Sequence, residues 1–458
     1  MEADKKNRLN QFIENPYISL WKLSLPMMLG MAVQAIYMLV DTALIGNIVG
    51  GSALASLGYV FPYFFIIMGI SFGLGSGVTT FIAQQIGMQN KNRAELAASH
   101  TMLIAFAIYI SLMILILFGG EHLINFQGAD NSAKELALEY FIPMIAGSIF
   151  MIINIFLRSI LSGEGDNTFP MILMGIGTVT NLILDLPFIY YLGIKGAAIA
   201  TVISQCLVSL IFLYQISFKS DTRSYLKIRF SFTIDPTILK EILRIGVPAS
   251  FSMVIMATGS IFFNVILDAD NHVAVLSTGG RIEHLFFLPI ISIATSVVTL
   301  VGMFYGAGKI NLINKIVRYA LKYVLTISIL FGILFYFNGG FFYSLFTDDP
   351  EIIHLGSEYF KVFSFALPFI SVGMVCIRVM QGIGDSLPML ILTSLRVIVI
   401  SCGLASFFKY YIGYSDVVYI WYSILVSAIL TSVSAFTWMT IKLKSQKETT
   451  RDIKDSTI

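Results

Sequence analysis

Apolar residues fill long, almost uninterrupted blocks of this chain, and the charged residues gather in the gaps between them. A membrane-length window finds twelve such blocks. The first six have approximate limits 18–46, 54–86, 95–118, 135–160, 168–192 and 195–217. The second six run over 238–267, 274–305, 317–338, 355–381, 387–408 and 416–441. Blocks of 20 or more residues are long enough, as helix, to cross a hydrocarbon core of roughly 30 Å. Several exceed 25 residues and are expected to tilt or to extend past the bilayer. A transmembrane β-barrel would show short alternating segments instead. The pattern therefore predicts an all-α polytopic membrane protein with twelve transmembrane helices.

The gaps alternate in charge. One set carries Lys5, Lys6 and Arg8, then Lys91 and Arg93, then Lys219, Arg223, Lys227 and Arg229. It continues with Lys309, Lys315 and Arg318 and ends with Lys442, Lys444 and Lys447. The other set holds Glu121, Asp130, Asp268, Asp270, Asp348 and Asp349 and almost no Lys or Arg. The positive-inside bias places the first set, and with it both termini, in the cytoplasm. The polar N-terminus runs into a span too long for a signal-peptide core, so no cleavable leader is expected.

The two halves repeat. EYF at 139–141 recurs at 358–360, GEGD at 163–166 recurs as GIGD at 382–385, and Gly87 matches Gly306, all at one offset of 219 residues. Each half opens alike, with Asn15-Pro16 before KLSLP and Asp235-Pro236 before RIGVP, a capping oxygen followed by a first-turn proline. The expected organisation is a six-helix lobe over 1–217, a cytoplasmic linker over 218–237, a second six-helix lobe over 238–442 and a cytoplasmic tail over 443–458. Halves with the same span count and orientation form a pseudo-two-fold along the membrane normal, the plan of alternating-access transporters. Duplication that merely builds a large bundle is the alternative.

Composition agrees with this. Of 458 residues, 57% are hydrophobic and only 12% charged, about half the usual globular fraction. The net charge of +2 gives no reason to expect nucleic acid as a partner. Cys206, Cys376 and Cys402 lie in apolar segments without metal-ligand spacing and read as small core residues. The 20 Met and 37 Phe suit an adaptable apolar pocket, and equally ordinary packing against lipid and core. No HExxH, phosphate loop or His/Cys cluster is present, which argues against a membrane-embedded enzyme. The Gly-rich FGLGSGVTT at 72–80 lacks the lysine of a phosphate loop and is better explained by close helix packing.

Candidate chemistry comes from polar groups at membrane depth, where each ionisable side chain is costly and hence a functional hypothesis. Counting along outward-running spans puts Asp41 near 8 Å from the outer boundary and Asp185 about 8–12 Å from it. Thr201, near the start of inward-running span six, falls at a similar depth, and Asn181 shares a helical face with Asp185. The only Lys or Arg nearby in sequence is Lys195, close to the outer surface. Two crowded carboxylates with neutral oxygens suit a proton-coupled switch, or a site for a hard cation such as Na⁺. They could instead be hydrogen-bonded glue between helices. Two acids at matched depth with Asn and Thr weaken that alternative, as does the second half, where the counterparts of Asp185 and Asn181 are Leu404 and Ile400.

Gln34 and Tyr37 share a stripe with Asp41, and Asn154 on span four is placed to face the same cavity. In the second lobe Arg281, Glu283, Arg378 and Arg396 are further candidates, and some of these are expected to pair with one another. His284 alone is weak support for a proton relay.

The pattern P-(x)14-D-T-A-L-I-G from Pro26 to Gly46 resembles the multidrug and toxic compound extrusion (MATE) family. So do SGEGDNTFPM at 162–171 and NLILDLPFIYYLGIKGAAIATVISQ at 181–205, and the resemblance covers nearly the whole chain. Asp41, Asn181, Asp185 and Thr201 look like the cation site of the DinF-like branch, where first-lobe acids couple export to H⁺ or Na⁺. The resemblance makes Pro26 a bend point of the first helix. It makes Gln34, Tyr37 and Asn154 lining residues of the first-lobe cavity. The NorM-like branch has a further acid in the tenth span, whereas this chain has Arg378 there and keeps Glu283 as its second-lobe carboxylate. The expected function is secondary-active antiport, exporting cationic amphipathic organic compounds as H⁺ or Na⁺ enters. Pro26 would bend in response to site occupancy, and Glu283 would join the substrate-cavity residues. A flippase for a lipid-linked oligosaccharide is the alternative within the same superfamily. The resemblance implies a multi-pass plasma-membrane monomer with no cofactor, whose partners are small organic substrates and the bilayer.

Overall fold

The computed structural model describes residues 8–126, 131–218, 226, 234–267, 270–413 and 417–456. Lys5, Lys6, Asp130, Asp268 and the linker residues 219–225 and 227–233 lie outside the described residues, as do the side chains of Glu121 and Asp270. Nearly all the described residues are helical, with no strand among them. Eleven helices among them are long and apolar enough to cross a membrane, from Pro16–Ile48 (span one) to the last, which opens at Val418. A twelfth span is made of two pieces, Lys134–Ala146 and Ser148–Gly163, bent by 49° at Gly147. That break falls inside the block expected at 135–160. The backbone at Gly147 runs so close to Val202 that a Cβ there would overlap the valine side chain.

Two elements depart from the simple pattern. The eleventh span begins as α-helix at Leu387–Ser394, then winds as π-helix over Leu395–Cys402 and again over Phe407–Ile412. Gly259 of span seven faces this widened stretch, so close that an added Cβ would overlap the Val397 side chain. The last helix runs on to Ser456, through most of the segment read as a tail.

The expected Asp-Pro opening of the second half is a working cap. The Asp235 carboxylate accepts hydrogen bonds from the Thr237 hydroxyl at 2.7 Å and from the Thr237 amide at 2.9 Å. These bonds hold its carboxyl below the usual carboxylate range. His100 Nε2 accepts from the Asp235 amide at 2.7 Å, tying the start of span seven to span three. The same device recurs at Asp349-Pro350, where the Asp349 side chain accepts from the Glu351 amide at 2.9 Å.

The chain divides into two compact units. One comprises Pro26–Leu243 with Arg8, the other Leu9–Leu25 with Arg244–Ile458. The first ten residues of span one therefore belong to the second unit. There Trp21 Nε1 donates to the Tyr319 hydroxyl at 3.1 Å, and the rings of Tyr17 and Tyr319 lie 4.5 Å apart.

Inside each unit the repeat is reproduced contact by contact. A Cβ on Gly163 would stand 3.0 Å from Ile82 and from the Thr79 carbonyl, and one on Gly382 would stand 2.9 Å from Val301 and 3.1 Å from the Val298 carbonyl. These are the same positions at the 219 offset. Gly165 and Gly384 both take positive φ, 80° and 91°, in turns closed by the Asp166 and Asp385 amides onto Leu161 and Met380. Only glycine takes that conformation without strain, which explains the repeated G-x-G-D. The glycine-rich stretch of span two packs as expected. A Cβ on Gly75 would meet Ser159 Oγ at 2.5 Å, and Thr79 Oγ1 donates to the Ser159 carbonyl at 2.9 Å.

Spans five (Thr168–Leu192) and six (Ile194–Phe218) make the approach on which the candidate site depends. Gly196 lies against the backbone of Phe188 so tightly that any Cβ would overlap that carbonyl. Backbone cannot yield as a side chain can. Gly196→Ala is therefore expected to destabilise the detergent-solubilised protein by about 1–3 kcal/mol, read as a lower midpoint of thermal unfolding. An unchanged midpoint would show that the two spans do not need this contact.

Candidate cation site and cavity

Asn181 is the centre of the polar cluster. It projects from span five one turn before Asp185, as the i, i+4 spacing requires. Its Nδ2 donates to Asp185 Oδ1 at 3.2 Å and to Thr201 Oγ1 of span six at 3.3 Å. The Tyr37 hydroxyl of span one meets Thr201 Oγ1 at 3.3 Å. Asp41, one turn beyond Tyr37 on span one, lies within electrostatic range of Asp185, Tyr37 and the phenol of Tyr140. Three spans thus bring together Asp41, Asn181, Asp185 and Thr201, the four residues the sequence singles out.

Burial makes the cluster chemically demanding. Asp41 is 8% exposed, Asn181 2% and Asp185 0%. Asp41 Oδ1, Asn181 Oδ1 and Asp185 Oδ2 are buried without a hydrogen-bond partner. Unsatisfied buried oxygens are rare, and each calls for a proton, a cation or water. Among the described residues no three His, Cys, Asp or Glu side chains gather in one place. The donor set at this site is two carboxylates with neutral oxygens, which suits a proton or a single hard cation better than a soft metal.

Beside the cluster lies a cavity of about 150 Å³ within the first unit. Gln34, Tyr37 and Asn154 line it as expected, and Asn181 contributes to both cluster and cavity. Asn154 Nδ2 donates to Gln205 Oε1 at 2.7 Å, and Ser209 Oγ donates to Asn154 Oδ1 at 2.9 Å, which fixes the amide's orientation. Arg158 also lines this cavity, a cation that the sequence reading passed over when it found only Lys195 nearby. The signal was present, since Arg158 is four residues beyond Asn154 and must share its helical face. Gln205, four beyond Thr201, could have been found the same way.

Glu283 is not part of that cavity. It lies in the second unit, half-buried, where it accepts a hydrogen bond from the Tyr359 hydroxyl at 2.5 Å. Tyr359 is the repeat counterpart of Tyr140, the phenol near the first-unit acids. The counterpart of Glu283 in the first unit is Phe64, whose ring stands edge-on to Tyr140 at 6.4 Å. The pairing expected among the second-lobe charges does not occur. Arg281 and His284 are exposed, Arg378 donates to Gln381 Oε1 at 2.8 Å, and Arg396 sits in the first π-helical stretch.

The chain resembles known transporters throughout. The family model MatE matches residues 26–186 and again 248–406, once within each unit. "Probable multidrug resistance protein NorM" of Thermotoga maritima is 26% identical over 386 residues, 82% of each chain. An FAD transporter of Shewanella oneidensis is 25% identical over 404 residues, 86% of this chain and 88% of its own. Among solved structures, a MOP superfamily transporter from Pyrococcus furiosus aligns with a TM-score of 0.89 and 31% identity, covering 94% of this chain and 97% of its own. A MATE structure in the bent conformation aligns equally well, at 0.89 and 30%, over 95% and 97%. With the duplicated units and the buried acids already in place, these matches assign the chain to the MatE family, as a multi-pass transporter of the plasma membrane and not an enzyme.

Proposed function

We propose that the protein is a secondary-active antiporter that exports amphipathic organic compounds while H⁺ or Na⁺ enters through the first unit. The observation that carries this reading is the set of three unpartnered buried oxygens on Asp41, Asn181 and Asp185. A cation or proton there would satisfy them and remove the repulsion between the two carboxylates. Tyr37 and Asn181 belong to cavity and cluster alike, so occupancy of one is felt in the other. The cationic group expected of the substrate fits the carboxylate side of this arrangement. A flippase for a lipid-linked oligosaccharide would need a larger, strongly cationic cavity, and about 150 Å³ with a single arginine favours the exporter.

Coupled efflux in proteoliposomes with an imposed ion gradient tests this directly. Asp41→Asn and Asp185→Asn are each expected to abolish gradient-driven efflux while the protein stays folded. Wild-type coupling in either variant would sink the proposal.

The neutral ligands favour Na⁺ as that ion. Asn181 Oδ1 and Thr201 Oγ1 are useful to Na⁺, whereas a proton needs only the carboxylates. A sodium gradient is expected to drive efflux, and Thr201→Val to raise the Na⁺ needed for half-maximal efflux about tenfold. Efflux driven by a pH gradient alone and indifferent to Thr201→Val would assign the site to H⁺.

Pro26 stands inside the continuous helix Pro16–Ile48, at the residue where that helix passes from one unit's packing to the other's. Proline removes one intrahelical hydrogen bond and lowers the cost of bending there. Pro26→Ala is expected to slow efflux while leaving substrate binding within about twofold of wild type. Unchanged turnover would exclude bending at this position from the transport cycle.

A further inference from the structure

Among the described residues, the first-unit cavity is lined by one charged side chain, Arg158, and by no acid. Arg158 is half-buried near the inner end of span four, five residues before the helix ends at Gly163. Its polar contact is with a thioether, Nη1 to Met174 Sδ at 3.6 Å, and its guanidinium lies 4.9 Å over the Phe72 ring. Neither is a counter-charge. A thioether is a weak acceptor, and an aromatic face holds a cation only modestly.

The neighbouring polar groups do not compensate it. Asn154 and Gln205 are bonded to each other, and the Asn154 carbonyl oxygen is taken by Ser209. Asp41 and Asp185 do not line the cavity. Asp185 lies seven residues from the outer end of its span at Leu192, toward the opposite boundary from Arg158. A guanidinium withdrawn from water without a partner is expensive, and its planar fork of donors matches a carboxylate or phosphate. Phe72 and Met174 already hold the fork's hydrocarbon surroundings in place, so the donors turn toward the cavity at little further entropic cost.

We propose that Arg158 is the anion-recognising residue of this cavity, and that its substrates carry a carboxylate or phosphate seated on it. The substrate's cationic or donor group would then face Tyr37 and Asn181, beside the acids. Such a substrate has charges of both signs on an apolar body. The proposal rests on reading this cavity as the substrate site, and it is independent of which ion drives transport.

A matched pair of fluorescent amphiphiles isolates the anion: 7-diethylaminocoumarin-3-carboxylate and its ethyl ester. Equilibrium binding to the full-length protein in nanodiscs, corrected with empty nanodiscs and with no ion gradient, is the measurement. Wild type is expected to bind the acid about tenfold more tightly than the ester. Arg158→Gln should bring the two within about twofold by weakening the acid alone. A wild-type protein that binds the ester as well as the acid, or neither, overturns the proposal. So does an Arg158→Gln variant that keeps the preference. Should Arg158→Gln lose the ester as well, Arg158→Lys decides. A retained preference for the acid supports the assignment, and its loss with ester binding intact refutes it. Because no gradient is applied, uncoupled efflux in the Asp41 or Asp185 variants leaves this result standing, and the two readings fail separately.

Discussion

Every polar atom placed at membrane depth must find its partner inside the protein, because lipid offers none. That constraint organises the first unit. Asn181 uses its amide donors on Asp185 and Thr201, Tyr37 adds its hydroxyl to Thr201, and the close passage of span six over span five at Gly196 brings these donors within reach. Among the buried polar atoms left without a partner in this unit are three oxygens of the cluster, on Asp41, Asn181 and Asp185. Three such acceptors on neighbouring residues, two of them carboxylate oxygens, place a large electrostatic cost in one cluster. That is the arrangement a transient cation can relieve.

Duplication fixed the backbone and left the chemistry free to differ. The Gly163 and Gly382 contacts and the positive-φ turns at Gly165 and Gly384 belong to the scaffold and recur. The polar set does not. Where Asn181 and Asp185 stand in one unit, Ile400 and Leu404 stand in the other. The tyrosine at 140 and 359 is kept in both, yet it meets Phe64 in one and Glu283 in the other. A buried phenol at this scaffold position tolerates either an apolar ring or a carboxylate. The second unit therefore acquired its acid on a different helix, without copying the first unit's cluster.

The span pattern, the repeat and the four cluster residues were legible in the sequence because each leaves a periodic trace. Blocks of fixed length mark spans, a constant offset marks duplication, and helical spacing places Asn181 and Asp185 on one face. The break at Gly147 was hidden, since the two pieces of the fourth span share one apolar block, and the close approach of Gly147 to Val202 exists only in the folded chain. The π-winding after Leu395 was hidden too, because a run apolar on all sides carries no phase from which a change of pitch could be read. Arg158 was missed for another reason. An arginine near a helix end reads as a side chain reaching for the interface. The i, i+4 spacing from Asn154 pointed the other way, and the cavity shows it turned inward, against Phe72 and Met174.

Span one joins these features. Its first ten residues pack in the second unit through Trp21 and Tyr319, and the rest of it carries Gln34, Tyr37 and Asp41 into the first. Asp41 stands fifteen residues beyond Pro26, about 22 Å along a straight helix. A helix is stiff over that length, so a sideways force on Asp41 is relieved most easily at the proline, where one hydrogen bond is already missing. On the proposed coupling, that force would be the repulsion between Asp41 and Asp185, present when both are charged and removed by a cation bound between them. One ion bound there would then change the load on span one. The cavity, whose wall includes Tyr37 and Gln34 from that same helix, would change shape with it.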